Sequence, residues 1–405
     1  MSQKYPGGII NKTAPVTVGP VDGEGGSAPG VWTLDQALAL QKQGLWPKPP
    51  IQGELYAWGY NGGGQLGQNN TTTFSSPVQI GSLTTWANTS AGSNFCAAIK
   101  TDGTLWSWGA NLDGQLGQGN TTALSSPVQI GALSAWSKTS ACSTSCMAIK
   151  TDGTLWGWGY NYYGRLGLND TANRSSPVQI GALTEWAAVA CGPVHTLAVK
   201  SNGTLWSWGK NDNGQLGTGN TTSRSSPVQV GALTNWYLVD AGTFFSLAIK
   251  TDGTMWSWGT GNSGRLGHNN TTLRNSPVQI GSLTSWAKVS AGVESSFAIK
   301  NDGTIWSWGE NSSGRLGLGD TANRSSPVQI GALTAWSNVS GGNGFVSALK
   351  TDGTLWSWGS NSQGQLGVNT GSGTNRSSPV QIGSLNTWVR LSKMTSSVAN
   401  IAISS

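Results

Sequence analysis

The sequence predicts an all-β protein: a seven-bladed β-propeller closed by pairing of its N- and C-terminal strands, preceded by an extended arm and one short helix. Three observations carry that expectation. The first is a period of 50 residues: TDGTLWSWG at 101–109 returns unchanged at 351–359 and lightly edited at 151, 201, 251 and 301. The second is the content of each period, short alternating runs punctuated by Gly, Asn and Asp-Gly, which is the pattern of antiparallel strands joined by tight turns. The third is the mismatch of the ends. The first copy begins only at GELYAWG (53–59), and the chain finishes with TWVRLSKM and SVANIAIS, the strands the first copy lacks. Pairing those ends completes a blade and leaves no open edge between first and last.

Two regions follow, 1–50 and 51–405. In the first, YPGGIINKTAPVTVGPVDGEGGSAPG is rich in Pro and Gly and reads as an extended arm. VWTLDQALALQKQGLWPKP then reads as a helix. Thr33 with Gln36 forms a capping box, Gly44 ends the helix and Pro47 blocks its continuation. Leu34, Ala37, Leu38 and Gln41 share one face, flanked by Trp32 and Trp46. About eleven residues are too few to hold a helix alone, so this face is expected to dock, on the propeller or on another protein. Trp32, Leu34, Leu38 and Trp46 are the candidate anchor.

The repeats occupy the remainder. In 236–285, WYLVDAG and SLAIK are alternating runs, TDG a turn, TMWSWG a third run and TGNSGRLGHNNTTLRNS a loop. PVQIG adds a short extended piece, giving four strands, the content of one blade. The second hairpin Trp falls at 58, 108, 158, 208, 258, 308 and 358, and a further Trp at 86, 136, 186, 236, 286, 336 and 388. With the first hairpin Trp of six copies, the repeats hold 20 of the 22 tryptophans, which are expected to fill the spaces within and between sheets.

Composition excludes several classes of function. A chain with 59 Gly but 22 Trp and 37% hydrophobic residues is not a disordered low-complexity chain, so the glycine belongs to turns. The net charge of +6 is spread without a basic run, which argues against nucleic-acid binding. The start has no apolar signal region and no stretch approaches 18 apolar residues, so no secretory signal or membrane insertion is read. Cys96, Cys142, Cys146 and Cys191 read as buried free thiols, with a disulfide or a metal site the alternative; a zinc site lacks a second ligand pair. Asp102, Asp152, Asp252, Asp302 and Asp352 each follow a Lys two positions earlier and read as turn chemistry plus a solvated charge pair. No catalytic constellation, cofactor motif or metal motif is present.

GTLWSWGANLDGQLGQG and AGxxxxxAIK resemble the repeat of the regulator of chromosome condensation family, over roughly 51–405. The resemblance implies a seven-bladed propeller, and makes His195 and His268 family residues in structural roles. The family's founding activity, nucleotide exchange on a small nuclear GTPase, needs an irregular wedge. Here no insertion exceeds two residues, so that activity is not expected. SAPGVWTLDQALALQKQGLWP resembles an element of bacteriophage virion structural proteins, particularly marine phage ones. That resemblance implies a non-enzymatic virion component such as a tail fibre or capsid decoration, in a symmetric assembly at the virion surface, touching other virion proteins through its N-terminal segment. The alternative is a bacterial propeller that scaffolds protein partners.

Two sets of residues remain as candidate ligand contacts. Arg174, Arg224, Arg274, Arg324 and Arg376 recur in the loop before SSPVQ, with Phe74 and Leu124 in the first two copies, and are expected around one rim. They read as solubility charges or as a multivalent rim for acidic host surface polysaccharide. Tyr160, Tyr162 and Tyr163 form the one aromatic-rich variant of the GxNxxG loop, suited to stacking on a sugar.

Overall fold

Alternating runs fold as strands because each places one set of side chains on either sheet face. In the first complete blade these are β3 (Trp86–Ala91), β4 (Phe95–Lys100), β5 (Leu105–Gly109) and β6 (Leu124–Gln129). β4 is buried along its whole length, whereas β6 is only partly covered. The first strands of successive blades pack on one another, so they are innermost and the fourth strands form the outer edge. Every fourth strand carries a Pro, such as Pro127 and Pro177, and its pairing is broken by a register shift, as between Ser107 and Gly109. Both devices protect an exposed edge from pairing with another chain.

The computed structural model describes residues 52–369 and 373–405. The arm, the short helix and the anchor residues Trp32, Leu34, Leu38 and Trp46 lie outside the described residues. Within them are seven four-stranded sheets. Six are consecutive in sequence. The seventh joins β1 (Glu54–Gly59) and β2 (Phe74–Gln79) to β27 (Trp388–Leu391) and β28 (Ala399–Ser404), in the order β2-β1-β28-β27. β1 and β28 stay in register from Glu54–Ser404 to Gly59–Ala399, so the ends close the ring as the sequence predicts.

The tryptophans of each period have separate tasks. Trp108 is buried and its Nε1 donates to the carbonyl of Gln65 in the preceding blade at 2.8 Å. Trp158 bonds Gln115 in the same way, and Trp58 bonds Gln365 across the closing junction. This bond dictates the Leu-Gly of the loop it reaches: Gly117 has φ +68°, and a Cβ there would lie 2.9 Å from Trp158 Nε1. Trp136 packs edge-on against Trp156 and Trp158, with centroids 5.9 and 6.2 Å away. Trp106 donates to Thr104 Oγ1, which itself donates to Asp102 Oδ1 at 2.7 Å.

Two expectations are corrected. The hairpin Asp acts in the turn as expected, the Thr104 hydroxyl and N–H holding Asp102 below its ordinary pKa with a smaller contribution from the Lys100 charge, but Lys100 Nζ is placed over an indole, 3.6 Å from the centroid of Trp106. The thiols are not all free. Cys142 and Cys191 form a disulfide between the first strands of the second and third blades, while Cys96 and Cys146 are buried free thiols. A separation of 49 residues in a 50-residue period places the two sulfurs side by side across a blade junction.

Candidate protein-interaction face

The strands run between two ends of the propeller. One end carries the hairpin turns between first and second strands and the long loops after the third. The other carries the TDG turns and the linkers between blades.

At the first end the repeats diverge. The loop 160–165 follows β9 (Leu155–Gly159). It is fixed by Asn161, which is buried, accepts from Leu166 N at 2.9 Å and donates to the Asp170 carbonyl at 3.1 Å. Tyr160 N donates to Thr144 O of the neighbouring turn. The rings then assemble: Tyr160 and Tyr162 are parallel at 6.2 Å, and Tyr162 meets Tyr163 edge-on at 4.8 Å. Arg165 lies beneath them, its Cζ 4.8 Å from Tyr160 and 5.6 Å from Tyr163, and it donates to the carbonyl of Pro193. Burial lowers the Arg165 pKa to about 10, which leaves it protonated at neutral pH. Lys210, paired with Asp212 at 3.2 Å, caps the other side, 4.7 Å from Tyr163 and 5.7 Å from Phe244. Tyr162 remains 61% exposed, and Leu112, its equivalent in the preceding blade, is 86% exposed.

The three tyrosines predicted from sequence are therefore brought together with Arg165, which the sequence offers only as a GRLG-position cation, and with Lys210 and Phe244, which sequence reading missed. Their signal was present as departures from consensus at repeat-equivalent positions on adjacent blades.

A second missed feature closes the centre of this face. The first hairpin of the seventh blade is two residues longer than that of the sixth, Trp388 pairing with Ser404 where Trp336 pairs with Lys350. Its turn reaches several blades. Lys393 Nζ pairs with Asp240 Oδ1 of the fourth blade, Ser396 Oγ accepts from Ser143 N of the second at 2.8 Å, and Ser397 O accepts from Asn343 N of the sixth at 2.9 Å. Asp240 is buried and also accepts from Ala291 N, so the lysine meets a fixed carboxylate.

The rim arginines do not converge. Each begins an outermost strand opposite a third-strand glycine: Arg174 opposite Gly159, Arg224 opposite Gly209, Arg274 opposite Gly259, Arg324 opposite Gly309 and Arg376 opposite Gly359. Arg174 and Arg324 are paired with Asp170 and Asp320 of their own loops. Arg224 is exposed. The histidines are structural. His195 is fully buried with Nε2 2.8 Å from Ser246 Oγ, and burial lowers its pKa to about 3. His268 Nε2 lies 2.9 Å from Ser257 Oγ.

Fold and face together define a repeat propeller whose loop-bearing end is differentiated across the second and third blades. The chain belongs to the RCC1-like domain family, whose domain matches residues 51–292. Regulator of chromosome condensation (RCC1) repeats match 302–349 and 352–396. No curated protein matches the chain by sequence. Among solved structures, yeast RCC1 (Prp20) in complex with Kap60 superposes with a TM-score of 0.77 at 17% identity, covering 88% of this chain and 90% of that one. Prp20p from Saccharomyces cerevisiae, in a structure described together with its binding to Gsp1p and histones, gives 0.77 at 18%, covering 87% and 91%. Human WBSCR16 gives 0.76 at 20%, covering 87% of this chain and all of that one. At these identities the likeness is one of fold.

Proposed function

We propose that this chain is a non-enzymatic scaffold that binds a protein partner through the aromatic sector of its second and third blades. The observation that carries the reading is the cluster of exposed Tyr162 with Tyr160 and Tyr163 over Arg165 and Lys210, with the exposed Leu112 at the equivalent position of the preceding blade. Interface hot spots are rich in Tyr and Arg, set in a preordered cluster, and this one loses little side-chain entropy on binding. The family supports the reading, since yeast RCC1 (Prp20) is found bound to Kap60. The comparisons with known proteins give no support to a display role on a virion, and adhesion through the arginine rim is weakened by the internal pairing of Arg174 and Arg324. The test is affinity capture with the full chain. A partner retained by wild type and by Arg224→Ala but lost by Tyr162→Ala/Leu112→Ala supports the sector. A partner retained by the double variant refutes it.

A further inference from the structure

At the opposite end of the strands, a cavity of about 440 Å³ opens between the fourth and fifth blades, lined by Tyr237, Lys250, Thr251, Asp252, Trp286 and Asn301 among others. Lys250 is only 6% exposed. Its Nζ lies 3.7 Å from the centroid of Trp256 and 4.8 Å from that of Trp236, and it has no hydrogen-bond acceptor or ion-pair partner among the described residues. Indole faces offset part of the cost of covering an ammonium but accept none of its three N–H donors in hydrogen bonds, so these donors are available to whatever occupies the cavity.

Two positions along the chain, Asp252 supplies the complementary group. Its Oδ1 accepts from Thr254 N at 2.9 Å and Thr254 Oγ1 at 2.6 Å, which fixes the carboxylate and lowers its pKa. A fixed donor and a fixed acceptor thus line one cavity. A simple anion is repelled by Asp252, a simple cation by Lys250, and an apolar ligand satisfies neither. A hydroxyl group meets both, accepting from the ammonium and donating to the carboxylate, and adjacent hydroxyls do so twice.

The Lys and Asp recur in other blades, but their surroundings here do not. The position of Tyr237 holds Ala87, Ser137, Ala187, Ala287, Ser337 and Val389 elsewhere. The position of Asn301 holds Thr101, Thr151, Ser201, Thr251 and Thr351. Two departures from near-identical repeats, on successive blades, line the same cavity. Tyr237 adds an aromatic ring suited to the C–H face of a pyranose, and Asn301 adds an amide with both donor and acceptor. We propose that this cavity is a binding site for a neutral pyranose sugar. It is independent of the protein-binding face.

The test is saturation-transfer NMR and titration calorimetry on the full chain, with methyl glycosides of glucose, galactose and mannose, and with sulfate and glucuronate as charged probes. The expected result is one saturable site for at least one neutral glycoside, weakened about tenfold or more by Tyr237→Ala, the residue three other blades carry. Lys250→Met is expected to abolish it. Asn301→Thr, a second consensus residue, is expected to weaken it while leaving the fold intact. Absence of transfer from all three glycosides, binding of sulfate or glucuronate alone, or glycoside binding unchanged in Tyr237→Ala would each overturn the proposal.

Discussion

Two sectors of the same face, built on the same backbone, have been given opposite chemistry. Across the second and third blades the loop positions carry tyrosines over Arg165, and Tyr162 stays exposed. Across the fourth and fifth, Arg265 pairs with Glu294 at 3.3 Å and Arg315 with Glu310 at 2.7 Å, and Ser312 stands where Tyr162 does. The cationic side chain beneath the surface is common to both. What differs is that Arg165 lies under a tyrosine cluster with an exposed member, whereas Arg265, 5.9 Å from the buried Phe245 ring, and Arg315 are each paired with a carboxylate. In a repeat protein the consensus builds the ring and the departures from consensus carry recognition.

The contrast should vanish in the shared core. Trp158→Ala and Trp308→Ala remove the same buried indole beneath the two sectors, and each is expected to cost about 3–5 kcal/mol in denaturant unfolding. A large difference between them would mean that the blades are not equivalent supports. The disulfide belongs to the aromatic sector alone. Replacing Cys142 and Cys191 by the consensus Gly and Ala is expected to lower stability by up to about 4 kcal/mol, the chain-entropy value for a loop of this length. A thiol assay on unfolded protein should find two reactive cysteines before reduction and four after.

His195 gives a pH-dependent contrast. The unfolded chain takes up a proton near pH 6.5, whereas the folded chain excludes it until about pH 3. Stability therefore falls as pH drops below about 6.5, by about 1.4 kcal/mol per unit for this group. His195→Phe, which installs the residue of Phe95, Phe245 and Phe345, should remove most of that slope. His268, whose pKa is also lowered by burial, supplies the remainder. The hairpin aspartates act lower, their stabilisation being lost only as pH falls through and below the ordinary carboxylate range. The smallest stability effect belongs to the surface itself: Tyr162→Ala is expected to change unfolding by no more than about 0.5 kcal/mol.

Much of this architecture was legible in the chain. The 50-residue period, the Asp-Gly turns and the incomplete first copy specify seven closed blades, because strand periodicity and edge pairing are local rules repeated many times. The tyrosines were legible as an aromatic loop, but their partners were not. Arg165 shares the tyrosines' loop, but Lys210 and Phe244 come from the next two blades, and only the packing of successive blades fixes which turn meets which loop. The disulfide was obscured for the same reason, since Cys142 and Cys191 are distant in sequence yet replace small residues at facing positions. In sequence Lys393 reads as part of the strand TWVRLSKM, whereas it lies beyond β27 and reaches Asp240 through a contact across the ring.

The most direct test of the central claim is site-specific photo-crosslinking from the two sectors. A photoreactive side chain is placed at Tyr162 in one preparation and at Ser312 in another, and each is irradiated in an extract of the native source. The account predicts a discrete protein adduct from position 162 that disappears when Leu112→Ala is added, with none from position 312. Equal adducts from both positions, or adducts from 312 alone, would contradict it.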